Sequence, residues 1–316
     1  NNFGPIKDIQ YKDVEDPKIE GNSVIIDVKS IGVNFPDGLL VQGKYQLKPE
    51  TPFTPGMEVA GQVIEIGSNV SKFKNGDRVV GQSQLGGYAE KALVKESSVF
   101  NIPEKMSFDD SCALLCAYGT SHYALKQRGN LKKGELLVVL GASGSTGIAA
   151  IQIGKIMGAK VIGVASTEEK QKIAKESGAD ITLGYDNLKE ELKAMSDGKG
   201  VDVIFDPVGG DIFDTVARTM ARYGRLLVIG FASGTIPKLA VNLALVKEFS
   251  VVGVFWGAFS RSQPDDYAKN MIELFEWHQK GLVKPLIEEH FNLSEAATVL
   301  EKILSRGAKG KVILNP

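Results

Sequence analysis

The sequence predicts an α/β protein of two domains, one of them a doubly wound parallel sheet. Strand-like apolar runs alternate with helix-like segments of ten or so residues from 136 to 257, the pattern of parallel βαβ units. The first of these runs, "LVVLGASGSTGI" (137–148), breaks into glycines at Gly141, Gly144 and Gly147 where a helix should begin. Before it, to about residue 115, short β-type runs are punctuated by Gly, Pro, Asn and Asp. That predicts an irregular, mostly antiparallel barrel or sandwich.

Composition narrows the function. The 316 residues suffice for two domains with a buried core. Lys plus Arg is 37 against 38 Asp plus Glu, with no single-sign run, so neither nucleic acid nor an anionic membrane is an expected partner. No segment approaches the ~20 uninterrupted apolar residues of a membrane span. Two cysteines, Cys112 and Cys116, and three histidines, His122, His278 and His290, give no disulfide framework and point to a reducing, cytoplasmic setting. Four-residue spacing puts both thiols on one helical face. The flanking "CALLCA" is apolar, however, so core packing outweighs metal binding, and no metal is expected.

The N-terminal strands are expected at "SVIIDVKSIGV" (23–33), "EVAGQVIEIG" (58–67), "DRVVGQ" (77–82) and "YAEKALV" (88–94). The parallel sheet then begins with 136–142 and its helix, in which Ala149, Ile153 and Ile156 share a face. It continues through strand 160–166, a helix from Thr167 to about Ser177, strand 181–183, a helix near 187–195, strand 201–209, a helix at 211–221, strand 224–231 and strand 249–257. Six strands match the dinucleotide-binding form of this sheet. A helix at 265–279, strand-like "LIEEHFNL", helix "SEAATVLEKILSR" and strand "GKVIL" close the chain. Ser294 and Ala297 make no capping box. This tail is too short for its own core and is expected to fold back onto the N-terminal domain.

Backbone N–H groups at a glycine-rich strand-to-helix turn suit a phosphate. The spacing here, G-x-x-G-x-x-G, is one residue off the usual dinucleotide fingerprint. An NAD site carries Asp or Glu about 20 residues later for the ribose hydroxyls. Here that strand ends in Ala165 and Ser166, with Lys170 one turn further and Tyr185 after the next strand. A small hydroxyl and a nearby cation favour a 2′-phosphate, and hence NADPH. The plainer alternative has Ser166 capping a helix and Lys170 solvated.

The stretches "GVNFPDGLLVQGKY" (32–45), "PGMEVAGQVIEIGSNVSKFKNGDRVVG" (55–81), "GGYAEKALV" (86–94), "GASGSTGIAAIQIGKIMGAKVIGVAS" (141–166) and "GKVIL" (310–314) make the chain resemble the medium-chain dehydrogenase/reductase superfamily. Within it, the chain is similar to the zinc-independent quinone oxidoreductase branch. The resemblance implies a GroES-like β-barrel-type catalytic domain (1–116 and 258–316) and a Rossmann NADP-binding domain (117–257). Zinc-dependent members carry a metal-binding Cys where this chain has Asn34, and a His where it has Met57, and they hold a second zinc in a cysteine-rich lobe absent here. Without a Lewis acid, acceptors that spread charge by conjugation are favoured. The resemblance likewise implies quinones or α,β-unsaturated carbonyls.

The resemblance also implies roles. Asn34 and Asp37 match an Asn-x-x-Asp of the branch. Asn34 is a partner for the nicotinamide ribose or the substrate oxygen, while Asp37 is equally well a loop-holding residue. Tyr45 matches an active-site tyrosine and is the expected donor to the substrate oxygen. A second tyrosine of the branch is Leu39 here, which leaves the final proton to solvent. Thr120 matches a threonine beside the nicotinamide, or else serves as a helix N-terminal hydroxyl. Gly144, Ser145, Thr146 and Gly147 are expected at the pyrophosphate. Phe231, Ala232, Phe255, Trp256 and Gly257 are expected around the nicotinamide, although an aromatic pair such as 255–256 is ordinarily core. An apolar strand 249–257 at the sheet edge predicts a homodimer.

Other readings remain at this point. An enoyl-CoA reductase presents the same electrophilic carbon, and a low-turnover NADPH sensor would need no metal. Tyr185 and Lys189 have the Tyr-x-x-x-Lys spacing of short-chain reductases, but there the glycine turn opens the fold, whereas here it follows about 140 residues.

Overall fold

The computed structural model describes residues 3–316. The chain divides into two compact units: Asn1–Cys116 with Ser262–Gln279 and Pro285–Pro316, and Ala117–Arg261 with Lys280–Lys284. No helix among the described residues is long and apolar enough to cross a membrane.

In the first unit β1 (Ser23–Gly32), β2 (Glu58–Ile66), β3 (Arg78–Gln82), β4 (Lys91–Lys95), β5 (Val99–Asn101), β12 (Ile287–Asn292) and β13 (Lys311–Asn315) form one seven-stranded sheet. Its order is β12-β13-β1-β2-β3-β5, with β4 also on β1. β1 is the hub, antiparallel to β2, β4 and β13. Its Val24, Ile26, Val28 and Ile31 are β-branched residues that suit a pleated, buried surface. They pack with Val59, Val79, Val312 and with Val299 and Leu300 of α11 (Ala296–Leu304). Each such side chain contributes about 1.5–3 kcal/mol by burial. The β13–β1 pairing sets Gly32 opposite Ile313 and so brings the last residues of the chain beside Asn34. Short helices α1 (Phe35–Val41) and α2 (Phe108–Ala113) and the long α10 (Pro264–Gln279) complete the unit.

In the second unit β6 (Leu136–Leu140), β7 (Lys160–Val164), β8 (Ile181–Leu183), β9 (Val201–Asp206), β10 (Met220–Val228) and β11 (Ser250–Gly253) form a six-stranded parallel sheet of order β11-β10-β9-β6-β7-β8. Every residue of β6 is buried, as a strand covered on both faces requires. The strand order reverses between β6 and β9, where such sheets bind ligands beyond the strand carboxyl ends. The helices are α3 (Gly119–His122), α4 (Ser145–Ile156), α5 (Glu168–Glu176), α6 (Leu188–Met195), α7 (Ile212–Ala217), α8 (Val241–Lys247) and α9 (Trp256–Ser262).

Four expectations are corrected. The strand expected at 249–257 stops at Gly253. Its neighbour β10 ends at Val228, whose carbonyl takes Val254 N–H as the last rung, because Gly230 N–H, which would make the next bond to β11, goes to the Asp206 carbonyl instead (3.4 Å). With no ladder left, Trp256 and Gly257 enter α9. The helix expected at 211–221 is only Ile212–Ala217, since Met220 already pairs with Val201. A capping box does start the last helical segment, two residues before the position considered: Asn292 N–H donates to Glu295 (2.9 Å). Finally, Thr120 opens no helix. The helical run is continuous from 108 to 128, with π-helical turns at Leu114–Tyr118 and Tyr123–Arg128 on either side of α3.

A Cβ at Gly61 would lie 1.9 Å from the Asp27 carbonyl across the β1–β2 pairing, and a backbone atom cannot swing aside. Gly61→Ala is therefore expected to lower the urea-unfolding free energy by roughly 1–3 kcal/mol, with unchanged stability as the contrary result.

Candidate active site

In the first unit, the end of β1, the start of α1, the start of β2 and β13 converge on one buried polar cluster. Glu58, Asp37, Lys311 and Asn34 are 0%, 0%, 2% and 8% exposed, too little for water to serve as partner. Lys311 Nζ donates to Glu58 Oε2 (2.7 Å) and Asn34 Oδ1 (2.9 Å). Asn34 Nδ2 donates to Glu58 Oε2 (2.7 Å) and the Gly32 carbonyl (3.1 Å). These partners fix the amide's orientation, because lysine only donates and carboxylate only accepts. A Cβ on Gly32 would stand 2.7 Å from the Glu58 carboxyl carbon and 2.8 Å from Lys311 Cε, so the pair fills the space that glycine leaves. Both N–H bonds of Asn34 are committed, and one acceptor lone pair remains.

Asp37 lies in the first turn of α1 and turns back on its start: Oδ2 accepts from Asn34 N–H (2.8 Å) and from the Tyr88 hydroxyl (3.1 Å). Its Oδ1 is buried without a hydrogen bond. Burial raises the Asp37 carboxyl to about 7, against the lowering influence of the Asn34 N–H, Lys311 and Tyr88. Burial, with Asp37 beside it, also raises the Tyr88 phenol well above its usual range. For Lys311 burial opposes the charge, but Glu58 outweighs it and the ammonium is held above its ordinary value. Tyr45, just after α1, is half-buried, as are Leu39 and Met57.

In the second unit the three glycines of the turn differ in task. Gly141 adopts φ +59, which favours glycine. Gly144 is the N-cap of α4, with no side-chain cap, and a Cβ there would meet only the Gly141 carbonyl at 3.5 Å. Gly147 packs so closely that a Cβ would lie 2.3 Å from that carbonyl. The N–H groups of Ser145, Thr146 and Gly147 thus begin an uncapped helix, with its positive dipole end forward. The Tyr185 hydroxyl accepts from Gly141 N–H (3.3 Å), and Ser121 Oγ donates to the Thr146 carbonyl (2.8 Å), which brings the Thr120 segment to the same turn. Ser166 is exposed at the tip of β7 and does not cap α5. That task falls to Thr167, whose Oγ1 accepts from Lys170 N–H (3.2 Å). Lys170 is half-buried in the first turn of α5.

Phe231 and Ala232 form the turn after β10, with Ala232 N–H donating to the Pro207 carbonyl (3.0 Å). Trp256 is buried, and a Cβ on Gly119 would touch its ring at 2.9 Å, so it packs beside Thr120 as a core residue. Phe255 is half exposed. Cys112 is buried, with Sγ donating to the Ser30 carbonyl (3.3 Å), and Cys116 is half-buried; neither is in a disulfide. Glu58, Lys311 and Tyr88 were not anticipated. For Glu58 and Lys311 a signal was present, a single ionisable residue inside the apolar stretches "MEVAGQV" and "GKVIL"; Tyr88 in "GGYAEKALV" has charged neighbours and no such signal.

Residues 20–104 match the alcohol dehydrogenase GroES-like domain family, and residues 145–277 the zinc-binding dehydrogenase family. The chain is 40% identical over 299 residues to the quinone oxidoreductase-like protein 2 homolog of Nematostella vectensis, covering 93% of this chain and 82% of that protein. It is 35% identical over 306 residues to the quinone oxidoreductase of Homo sapiens (96% and 92% covered). It superposes on the crystal structure of Escherichia coli quinone oxidoreductase complexed with NADPH with TM-score 0.93 and 28% identity, covering 100% of this chain and 98% of that one.

The Asp37 environment carries a pH signature. Burial raises the folded carboxyl to about 7 from the ordinary value of 3.8 that it regains on unfolding, so between these values the native state binds more protons. This contribution to stability is full below about pH 4 and is lost as pH rises towards 7. Relative to Asp37→Asn, the wild type is expected to lose roughly 3–4 kcal/mol between pH 4.5 and 7.5 in urea unfolding. Parallel stability profiles would contradict it.

Proposed function

The chain belongs to the quinone oxidoreductase branch of the medium-chain dehydrogenase/reductase superfamily, and on that premise we propose that it reduces quinones and related conjugated carbonyl acceptors with NADPH and without a metal. The observation that carries the metal-free chemistry is the Lys311 ammonium seated on Glu58. Asn34 has committed its amide N–H bonds, Met57 offers only a thioether, and the neighbouring carboxylate already holds a cation. This donor set does not fit zinc.

The second unit does suit the cofactor. Ser145, Thr146 and Gly147 offer N–H groups to a pyrophosphate, Gly144 leaves room for it, and Tyr185 flanks the turn. Ser166, released from capping, and Lys170 hold the 2′-phosphate. Thr120, Phe231, Ala232, Phe255 and Gly257 surround the nicotinamide, and the buried Trp256 supports Thr120 from the core. When bound, NADPH supplies a hydride. In the acceptor, conjugation carries the resulting charge to oxygen, and the Tyr45 phenol donates a hydrogen bond there. Asp37 holds the Asn34 backbone, Asn34 offers its remaining lone pair to a ligand donor, and solvent returns the last proton.

The same reading includes a homodimer through β11. This edge strand presents Val251, and nearby in sequence α8 buries none of its residues while Val241, Leu245 and Val246 are more than 70% exposed, an arrangement that favours association. Two cysteines, Cys112 and Cys116, neither in a disulfide, go with a reducing, cytoplasmic location.

NADPH oxidation with 1,4-benzoquinone, a 2-enal and crotonyl-CoA, with and without a chelator, tests the proposal. Turnover is expected with NADPH over NADH and unaffected by chelation. Ser166→Asp should reverse the cofactor preference by about tenfold or more through charge repulsion, and Tyr45→Phe should lower kcat by roughly 10²-fold. Chelator-sensitive alcohol oxidation, or tight NADPH binding without turnover, would contradict the proposal. Light scattering at micromolar protein should give twice the chain mass, and a monomer would exclude the dimer.

A further inference from the structure

β9 ends at Asp206, a carboxylate 1% exposed. Its Oδ1 accepts from Val208 N–H (2.8 Å) and Gly209 N–H (2.9 Å). Burial pushes this carboxyl above its usual range, opposed only by those two N–H groups, and no cation contributes. A buried carboxylate without a counter-ion is unfavourable, so its persistence calls for a task at this loop.

That task is visible in what the loop touches. The Asp206 carbonyl accepts from Ile229 N–H (2.9 Å), where β10 gives out. Three more backbone bonds join the loops after β9 and β10: Ala232 N–H to Pro207 (3.0 Å), Ser233 N–H to Val208 (2.9 Å), and Gly210 N–H to Thr235 (3.0 Å). Gly209 and Gly210 have φ of +63 and +68, a left-handed pair that the Asp206 carboxylate holds in place. A Cβ on Gly209 would stand 2.9 Å from Phe231 Cδ1, so the ring lies directly on this turn. Asp206 therefore reaches Phe231 and Ala232 through one glycine and one hydrogen-bonded carbonyl.

We infer that Asp206 is a positioning residue for the nicotinamide end of the cofactor, clamping the turn after β9 so that Phe231 and Ala232 stand at a fixed height. This rests on the NADPH reading above. Asp206 touches neither cofactor nor acceptor and acts through the turn alone. Displacements of about an ångström in such a wall are enough for large losses in binding and rate. The adenosine end, near Ser166 and Lys170 on the far side of the sheet order from β10, does not depend on it.

Two ligands separate these ends: NADPH, followed by its fluorescence, and 2′,5′-ADP, followed by calorimetry. In Asp206→Ala the dissociation constant for NADPH is expected to rise about tenfold or more, while that for 2′,5′-ADP stays within about twofold of wild type. Asp206→Asn, whose amide oxygen keeps both N–H bonds, should restore NADPH binding. Gly209→Ala, which presses on Phe231 from below, should give the same split even if Asp206→Ala does not fold. Equal weakening of both ligands, or of neither, would overturn the inference. A wild-type protein that binds NADPH but not 2′,5′-ADP would instead overturn the assignment of the 2′-phosphate site.

Discussion

Glu58, Lys311 and Asn34 form the contact on which the first unit turns. Taking a carboxylate and an ammonium out of water costs several kcal/mol per ion, and only good geometry with further hydrogen bonds recovers it. Here each charge has those bonds, and the pair occupies the space over Gly32. The consequences run outward. β13 must lie against β1 for Lys311 to arrive, Asn34 must keep its amide turned one way, and α1 must begin at that residue. Breaking either partner would strand a buried charge, so the arrangement specifies position more than it adds stability.

The same contact shapes the chemistry. A carboxylate that already holds an ammonium is a poor ligand for a dication, and an amide with both N–H bonds committed cannot polarise a carbonyl. On the proposed reading, an acceptor is left with the Tyr45 phenol and with an Asp37 carboxyl that burial raises to about 7. Such a site suits acceptors that carry charge on their own conjugated framework. Taken by itself, the second unit presents an uncapped helix start, a hydroxyl at the tip of β7, and two loops joined at Asp206.

The parallel sheet was legible because periodicity and glycine placement are local properties, and so was the glycine turn. Ser166 was ambiguous as a cap. Only the φ/ψ path of the chain makes Thr167 the cap, and a Ser-Thr pair does not reveal which of the two begins a helix. The end of β11 was not legible, because a strand stops where its neighbour stops, and Val254–Gly257 are apolar enough to have continued. Least legible was the Lys311 pair, whose partners lie 253 and 277 residues away. Sequence marks Lys311 as a misfit among apolar neighbours, but only the β1–β13 register says what it meets.

An ammonium rather than a metal ion on the Glu58 carboxylate is open to direct observation by NMR on protein labelled with ¹⁵N at lysine Nζ. One lysine ammonium is expected whose protons exchange slowly at neutral pH. That signal should disappear in Lys311→Met and stay unchanged when zinc is added in excess. A Lys311 ammonium in fast exchange with water, or one displaced by zinc, would contradict it.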